Sequence, residues 1–202
     1  MPLNIARPDA IDVLLTRRSV KTKDMVDPGP SAAELETILT AARRVPDHGK
    51  LTPWRFFVFE GAARHALGEV IAGAYRIEEE ASATATTAKA MADFPAQAPV
   101  CILLASTPSS AKPIPELEQR LSAGAAGMML LTAAHMLGYG AQWLTGWAAY
   151  SPGVKRHLGL GEGDCIAGFI FIGSAGRDPS ERPRPEAADV VRHFRTAEDL
   201  QG

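Results

Sequence analysis

Three stretches of this chain are dense in apolar residues: Trp54 to Phe59 (WRFFVF), Pro99 to Ala105 (PVCILLA) and Cys165 to Gly173 (CIAGFIFIG). Short runs rich in β-branched and aromatic residues predict buried strands. Elsewhere the apolar positions recur at helical spacing. Ile11, Leu14 and Leu15 make one short face, and Leu35, Ile38, Leu39 and Ala42 make a second. The second face follows the breaker Pro28-Gly29-Pro30 and a capping-box pattern, Ser31 with Glu34, and Pro46 ends it. Further helices are predicted from about Ala62 to Tyr75, from about Glu116 to Leu137 with Gly138 as the stop, and from Ser151-Pro152 to about Leu158. The Ala/Thr-rich segment from Ile77 to Phe94 reads as helical or mobile, Pro108 to Pro115 as a connector, and Tyr139 to Trp143 as a short strand.

Leu121 to Gly138 (LSAGAAGMMLLTAAHMLG) is the least charged stretch. Gly, Ala, Ser, Thr and a histidine dilute it, and it stands alone. It therefore predicts a buried central helix in contact with another subunit, not a membrane span. Helices come first and strands lie scattered between them, so the fold class is α+β rather than a doubly wound sheet. No GxGxxG follows a strand, and neither GxxxxGK[ST] nor GxSxG occurs. No repeat or linker divides the chain, which reads as a single domain over residues 1–202.

Composition narrows the function classes. Twenty-one basic residues face 23 acidic ones, for a net charge of −2, which argues against a general nucleic-acid binder. The first 25 residues lack an apolar signal core. Cys101 and Cys165 each sit in an apolar run and read as small core residues of a reducing compartment, and five dispersed histidines show no ligand spacing. The expectation is a cytoplasmic protein with no metal, no membrane span and no nucleic-acid partner.

Against that bland background four polar patches stand out. Arg17-Arg18-Ser19 with Lys21 closes the first predicted helix. It reads either as cations complementing a helix C-terminus or as a fork of guanidinium donors for a phosphate. Arg44 to His48 leads into Thr52-Pro53-Trp54, and His48 could equally stabilise a turn whose Asp47 carboxylate is bonded locally. Gly138 to Gly146 encloses Trp143, Leu144 and Thr145, and Trp143 could equally be core. Gly173 is followed by Arg177, Arg182 and Arg184 among prolines, where arginines are often simply solvated. His135, on the apolar helix, reads as a satisfied core histidine.

The ordered set "LLTRRSV", "RRVPDHGKLTPWRFFVFEG", "LSAGAAGMMLLTAAHMLGYGAQWLTG" and "IAGFIFIGSAG" resembles the FMN-dependent nitroreductases, most closely the short bacterial YdjA-type NAD(P)H nitroreductases, over Ile11 to Phe194. The resemblance implies a sandwich with a mixed, mainly antiparallel sheet flanked by helices around a long central helix. It also implies a homodimer with FMN at the subunit interface. By the same resemblance Arg17, Arg18 and Ser19 hold the flavin's phosphate and ribityl chain, and Lys21 lies near its N1/C2 carbonyl. Arg44 and His48 come from the other subunit, Trp143, Leu144 and Thr145 line the isoalloxazine, and Arg184 reaches the phosphate. Residues Ala133 to Gly138 overlie a stretch associated with the nicotinamide nucleotide. Two departures are visible: Asp47-His48-Gly49 and Thr52 replace the serine, asparagine and glutamine of larger members, and Leu144 stands where short members often have arginine.

The implied activity is transfer of hydride from NAD(P)H through FMN to an electron-poor acceptor, a nitroaromatic or quinone, by a ping-pong mechanism. A cofactor that carries the redox chemistry explains why no acid–base dyad or nucleophile motif is present. Two alternatives accompany it: an FMN enzyme for a dedicated metabolite (enone reduction or dehydrogenation), and a flavin-binding protein with little turnover.

Overall fold

A computed structural model describes residues 5–200. Thirteen regular elements follow one another in the described residues. The first half runs α1 (Ile11–Thr16), β1 (Met25–Val26), α2 (Ala32–Ala42), β2 (Trp54–Glu60), α3 (Ala62–Glu78), α4 (Ala85–Asp93) and β3 (Val100–Ser106). The second runs α5 (Glu116–Met136), β4 (Gly140–Leu144), α6 (Trp147–Tyr150), α7 (Pro152–His157), β5 (Cys165–Ala175) and α8 (Ala187–Val190).

The three apolar runs become β2, β3 and β5, and the register shows why they lack alternation. The strand order is β1-β5-β3-β2, with β4 added to β5. β3 lies between β2 and β5, and all seven of its residues are buried. Val100, Ile102 and Leu104 face one core, with α2 and α5 packed over it, whereas Cys101, Leu103 and Ala105 face a second core beneath α3, α6 and α7. A strand covered on both faces gains from apolar residues at every position. Every strand pair in the described residues is antiparallel, so the parallel component allowed for in the sequence reading is absent there. β5 is the organising strand: β3 holds one edge, while β4 and then β1 share the other. Phe169 and Phe171 of β5 are fully buried and meet the edge-on ring of Phe94 at 5.1 and 5.3 Å. Burial of each such ring is worth roughly 1.5–3 kcal/mol.

The capping box of α2 forms as its sequence predicts: Ser31 N–H and Oγ–H donate to Glu34 Oε2, and Glu34 N–H returns to Ser31 Oγ. The ambiguous Ile77–Phe94 stretch is largely helical. α3 runs to Glu78, and α4 opens on a reciprocal Thr84–Thr87 cap. α5 departs from expectation in one respect. Its sheet-facing side is fully buried, yet Leu117 and Leu121 are 68% and 64% exposed, and Met128 and Met136 lie on the surface too. Ile11, Leu14 and Leu15 of α1 are likewise exposed. Within one chain the central helix is covered on only part of its circumference.

Candidate anion and cofactor site

α1 ends where Arg17 leaves the helical region, with φ −55° and ψ 136°, after its N–H has bonded Val13 O. The chain then runs extended through Lys21. Two bonds fix this segment against β4: Val20 N–H donates to Ala141 O at 3.2 Å, and Thr22 N–H donates to Gln142 Oε1 at 2.9 Å. Val20 is buried, and its methyls sit where a side chain at residue 140 would be, because a Cβ on Gly140 would lie 2.9 Å from Val20 Cγ2. Glycine at 140 is thus a condition for the polar residues on either side of Val20 to stand where they do.

Those residues split between two pockets. Arg18, Ser19, Lys21 and Lys23 line a cradle of about 200 Å³ together with Arg177 from the segment after β5. Four cations there face two carboxylates, Asp24 and Asp178. Arg18 Nε donates to Ser180 O at 3.0 Å and lies 3.5 Å from Glu181 Oε1, and Arg184 lies 3.6 Å from the same oxygen. The backbone N–H of Arg182, followed by the Arg184 and Arg18 cations, holds the Glu181 carboxyl below its ordinary value. Arg17 turns the other way. It lines a separate pocket of about 260 Å³ with His135, Tyr139 and Val13, and the two pockets share Arg18, Val20 and Pro179.

Other residues singled out in the sequence lie outside both pockets. Arg44 is exposed, with its backbone N–H bonded to Ala41 O. His48 is exposed and pairs through Nδ1 with Glu118 Oε2 of α5 at 2.7 Å. Its loop is fixed by Asp47, whose two carboxylate oxygens accept from Leu51 N–H at 3.0 Å and Thr52 N–H at 2.9 Å. That local bonding holds Lys50 and Thr52 at positive φ, 57° and 47°, a region that strains side chains other than glycine. Trp143 is spent in the core: its Nε1 donates to Ala167 O at 3.0 Å, and its ring fills space left by Gly127 of α5 and Gly168 of β5. Ala167 is the extra residue where the β3–β5 register shifts. Leu144 packs against the second core, whereas Thr145 is exposed beside Gly146.

His135 is the residue the sequence hides. It is half-buried in the last turn of α5, and only one ring nitrogen is satisfied: Nδ1 meets Tyr139 O at 3.1 Å. Nε2 is buried with no partner among the described residues, and so is Arg17 Nη1 in the same pocket. Burial pushes the imidazole below its ordinary 6.5, and the Arg17 cation pushes the same way against the Tyr139 bond. A satisfied core histidine, the reading its apolar helix suggests, would leave neither nitrogen orphaned.

The sheet, its two helical layers and a cationic cradle after the first helix define a class, and comparison with known proteins gives it a name. The nitroreductase family model matches residues 14–174, and the chain belongs to that family. An oxidoreductase role comes with membership. Escherichia coli (strain K12) YdjA, provisionally named an NAD(P)H nitroreductase, is 34% identical over 169 residues, covering 82% of this chain and 88% of that protein. A nitroreductase-like protein from Bacillus cereus superposes with a TM-score of 0.78 at 22% identity, covering 97% of this chain and all of that one. A provisionally assigned nitroreductase of Desulfovibrio desulfuricans, solved with FMN, superposes at 0.69 with 22% identity, covering 95% of this chain and all of its own.

Proposed function

We propose that this chain, acting as one domain, is an FMN-dependent oxidoreductase that takes reducing equivalents from NAD(P)H and delivers them to an electron-poor acceptor such as a quinone or nitroaromatic. The observation that carries the reading is the cradle of Arg18, Ser19, Lys21, Lys23 and Arg177. Two guanidiniums, a hydroxyl and two ammonium groups around one small volume suit a phosphate terminus. The orphaned Nη1 of Arg17, one residue away, is a second donor in want of an anion. The printed descriptions of relatives agree: YdjA carries an NAD(P)H nitroreductase name, and the Desulfovibrio desulfuricans protein was solved with FMN.

When bound, FMN supplies the two-electron redox chemistry, and the protein supplies grip, orientation and electrostatics. Arg18, Ser19 and Arg177 would hold its phosphate, and Lys21 would add positive charge beside them. The backbone at Thr145-Gly146 offers an open surface at the end of β4. At about 200 Å³ the cradle is smaller than the roughly 300–1,000 Å³ of pockets that enclose a whole small-molecule ligand. A flavin ring would exceed the cradle and would need another wall. The exposed apolar faces of α1 and α5 supply the reason for a second copy, since contiguous apolar surface of that kind marks an interface. In the homodimer Arg44 and His48 act from the partner. The unbridged cysteines fit a cytoplasmic protein.

The test is the visible spectrum of the purified protein before and after anaerobic NADH or NADPH. Flavin bands that bleach support the reading, and a colourless protein that takes up no added FMN sinks it. Steady-state turnover with menadione then separates an enzyme from a binder. Parallel double-reciprocal plots are expected because one site serves both partners in turn, and intersecting plots refute the ping-pong order.

A further inference from the structure

One end of the sheet carries a polar row inside an otherwise apolar layer. Trp54 opens β2, Ser106 closes β3 and Cys165 opens β5, and the register pairs Trp54 with Ser106 and Ser106 with Cys165. Directly opposed residues of antiparallel strands share a face, with Cβ atoms about 4.5–5.5 Å apart. The face is the one under α5, since Trp54 belongs to the core that Ala126 and Leu130 seal. Ser106 is 2% exposed and Trp54 8%, yet Ser106 Oγ and Trp54 Nε1 have no hydrogen-bond partner among the described residues. Buried polar groups in native proteins are paired, so two adjacent orphaned donors call for an acceptor.

Cys165 is the outer end of that row. It is half-exposed, not the core residue its apolar run suggested. Arg120 of α5 lies over it: Nη1 is 2.9 Å from Cys165 Sγ, Nη2 donates to Gly163 O at 3.1 Å, and Nε donates to Glu116 Oε1 at 2.6 Å. These contacts fix the guanidinium beside the sulfur. The other thiol, Cys101, lies near the far end of β3 and faces the opposite core. At about 3.4 Å per residue it is roughly 17 Å away along the strand, too far for a bridge.

We propose that Cys165 is a site of reversible oxidation by hydrogen peroxide, its sulfenic acid received between Arg120 and Ser106. The sulfur attacks one peroxide oxygen, so an S–O bond forms as the O–O bond breaks. Sulfur gives up two electrons, and the departing oxygen takes the thiol proton and leaves as water. One thiol and one peroxide thus become one sulfenic acid and one water. Arg120 donates to the oxygen that gains charge as the O–O bond opens, and Ser106 Oγ–H donates to the oxygen left on sulfur. Trp54 Nε1–H stands behind Ser106 in the same row. With Cys101 out of reach, the sulfenic acid is not resolved within the chain. A small external thiol restores it: the first thiol displaces water to give a mixed disulfide, and a second releases Cys165. The site stands independently of the flavin reading.

The experiment treats the purified protein with a small molar excess of hydrogen peroxide, traps sulfenic acid with dimedone and locates the adduct by peptide mass spectrometry. An adduct at Cys165 and none at Cys101 is expected, and dithiothreitol added between peroxide and dimedone abolishes it. Arg120→Gln slows adduct formation about tenfold, through loss of one charge-assisted hydrogen bond. Arg120→Lys keeps the charge, guards against a folding defect and loses less. In Ser106→Ala the sulfur passes on to sulfinic acid faster, seen as a gain of two oxygens that dimedone does not trap. Alkylation by iodoacetamide, which brings no oxygen to be received, separates this site from mere exposure, and Arg120→Gln slows it less than it slows oxidation. No adduct at Cys165, equal slowing of oxidation and alkylation, or sulfinic acid formed no faster in Ser106→Ala overturns the proposal.

Discussion

Gly140→Ala perturbs the site without touching any residue in it. The added methyl would lie 2.9 Å from Val20 Cγ2, 3.0 Å from Val20 Cβ and 3.3 Å from Val20 Cγ1. Val20 cannot swing aside: it is β-branched, buried, and tied through its N–H to Ala141 O. The strain passes to the extended backbone from Arg17 to Lys21. Overpacking of this kind costs about 1–3 kcal/mol. The lower unfolded-state entropy of alanine returns about 0.4–1 kcal/mol, since Gly140 does not occupy a positive-φ conformation. The net loss centres on about 1.3 kcal/mol, or about 3–5 °C in Tm for a chain of this size. Because Arg18, Ser19 and Lys21 move with the backbone, FMN affinity falls about three- to tenfold, or about 0.7–1.4 kcal/mol. Thermal denaturation and flavin fluorescence titration read the two effects. Val20→Ala removes the colliding methyls, so the double variant loses at least about 0.5 kcal/mol less than the sum of the singles. Wild-type stability in Gly140→Ala, or strict additivity in the double variant, would refute the steric argument.

Four further outcomes follow from single contacts. Asp47→Ala leaves the N–H groups of Leu51 and Thr52 without their carboxylate and lowers stability by about 1–3 kcal/mol in chemical denaturation, with no loss expected if the loop's shape is set elsewhere. Trp143→Phe removes the donor to Ala167 O at the register shift and costs about 1–2 kcal/mol, while flavin binding persists because the indole is a core group. An aromatic disulfide reagent labels Cys165 alone in the native protein, because burial pushes the Cys101 thiol up to about 12; two rapidly reacting thiols would contradict its placement. Glu34 is held below its ordinary 4.5 by the Ser31 hydroxyl and N–H and then by the Tyr139 hydroxyl. Its contribution is present above pH 4.5 and is lost as pH falls through the lower folded value, so Glu34→Gln flattens the stability–pH curve in that acid window.

What was legible in the sequence is what burial writes into it. Both faces of β3 and β5 are covered, so their apolar runs had no alternation to disguise them. The cap of α2 showed because Ser31 and Glu34 form the usual pair, whereas α4 is capped by threonine against threonine and stayed ambiguous. Arg17-Arg18-Ser19 was visible as a cluster, but the sequence did not show how it divides: Ser19 lines one pocket, Arg17 the other, and Arg18 both. His135 was hidden by its neighbours: on an apolar helix a lone histidine looks like core. Only the position of Tyr139 O, four residues on, shows that one ring nitrogen is consumed and the other left over.

The incomplete cradle and the exposed helix face express one fact. α5 buries its sheet side, with Ala126, Leu130 and Ala134 sealed over β3 and β5, and leaves Leu117, Leu121 and Met128 facing outward at intervals of four and seven residues. That spacing is a single helical stripe, and the apolar side chains of α1 extend it toward Arg17. Meanwhile His48, assigned by resemblance to the flavin, lines neither pocket of its own chain and instead pairs with Glu118, one residue from Leu117. A second copy seated on the stripe would cover the apolar surface and bring its own His48 loop against this chain. If so, polar substitution at Leu121 acts on association and on flavin retention together. Leu121→Asp should lower the dimer fraction in sedimentation and release FMN in the same protein concentration range. Flavin retained by a dissociated chain would separate the two and overturn the argument.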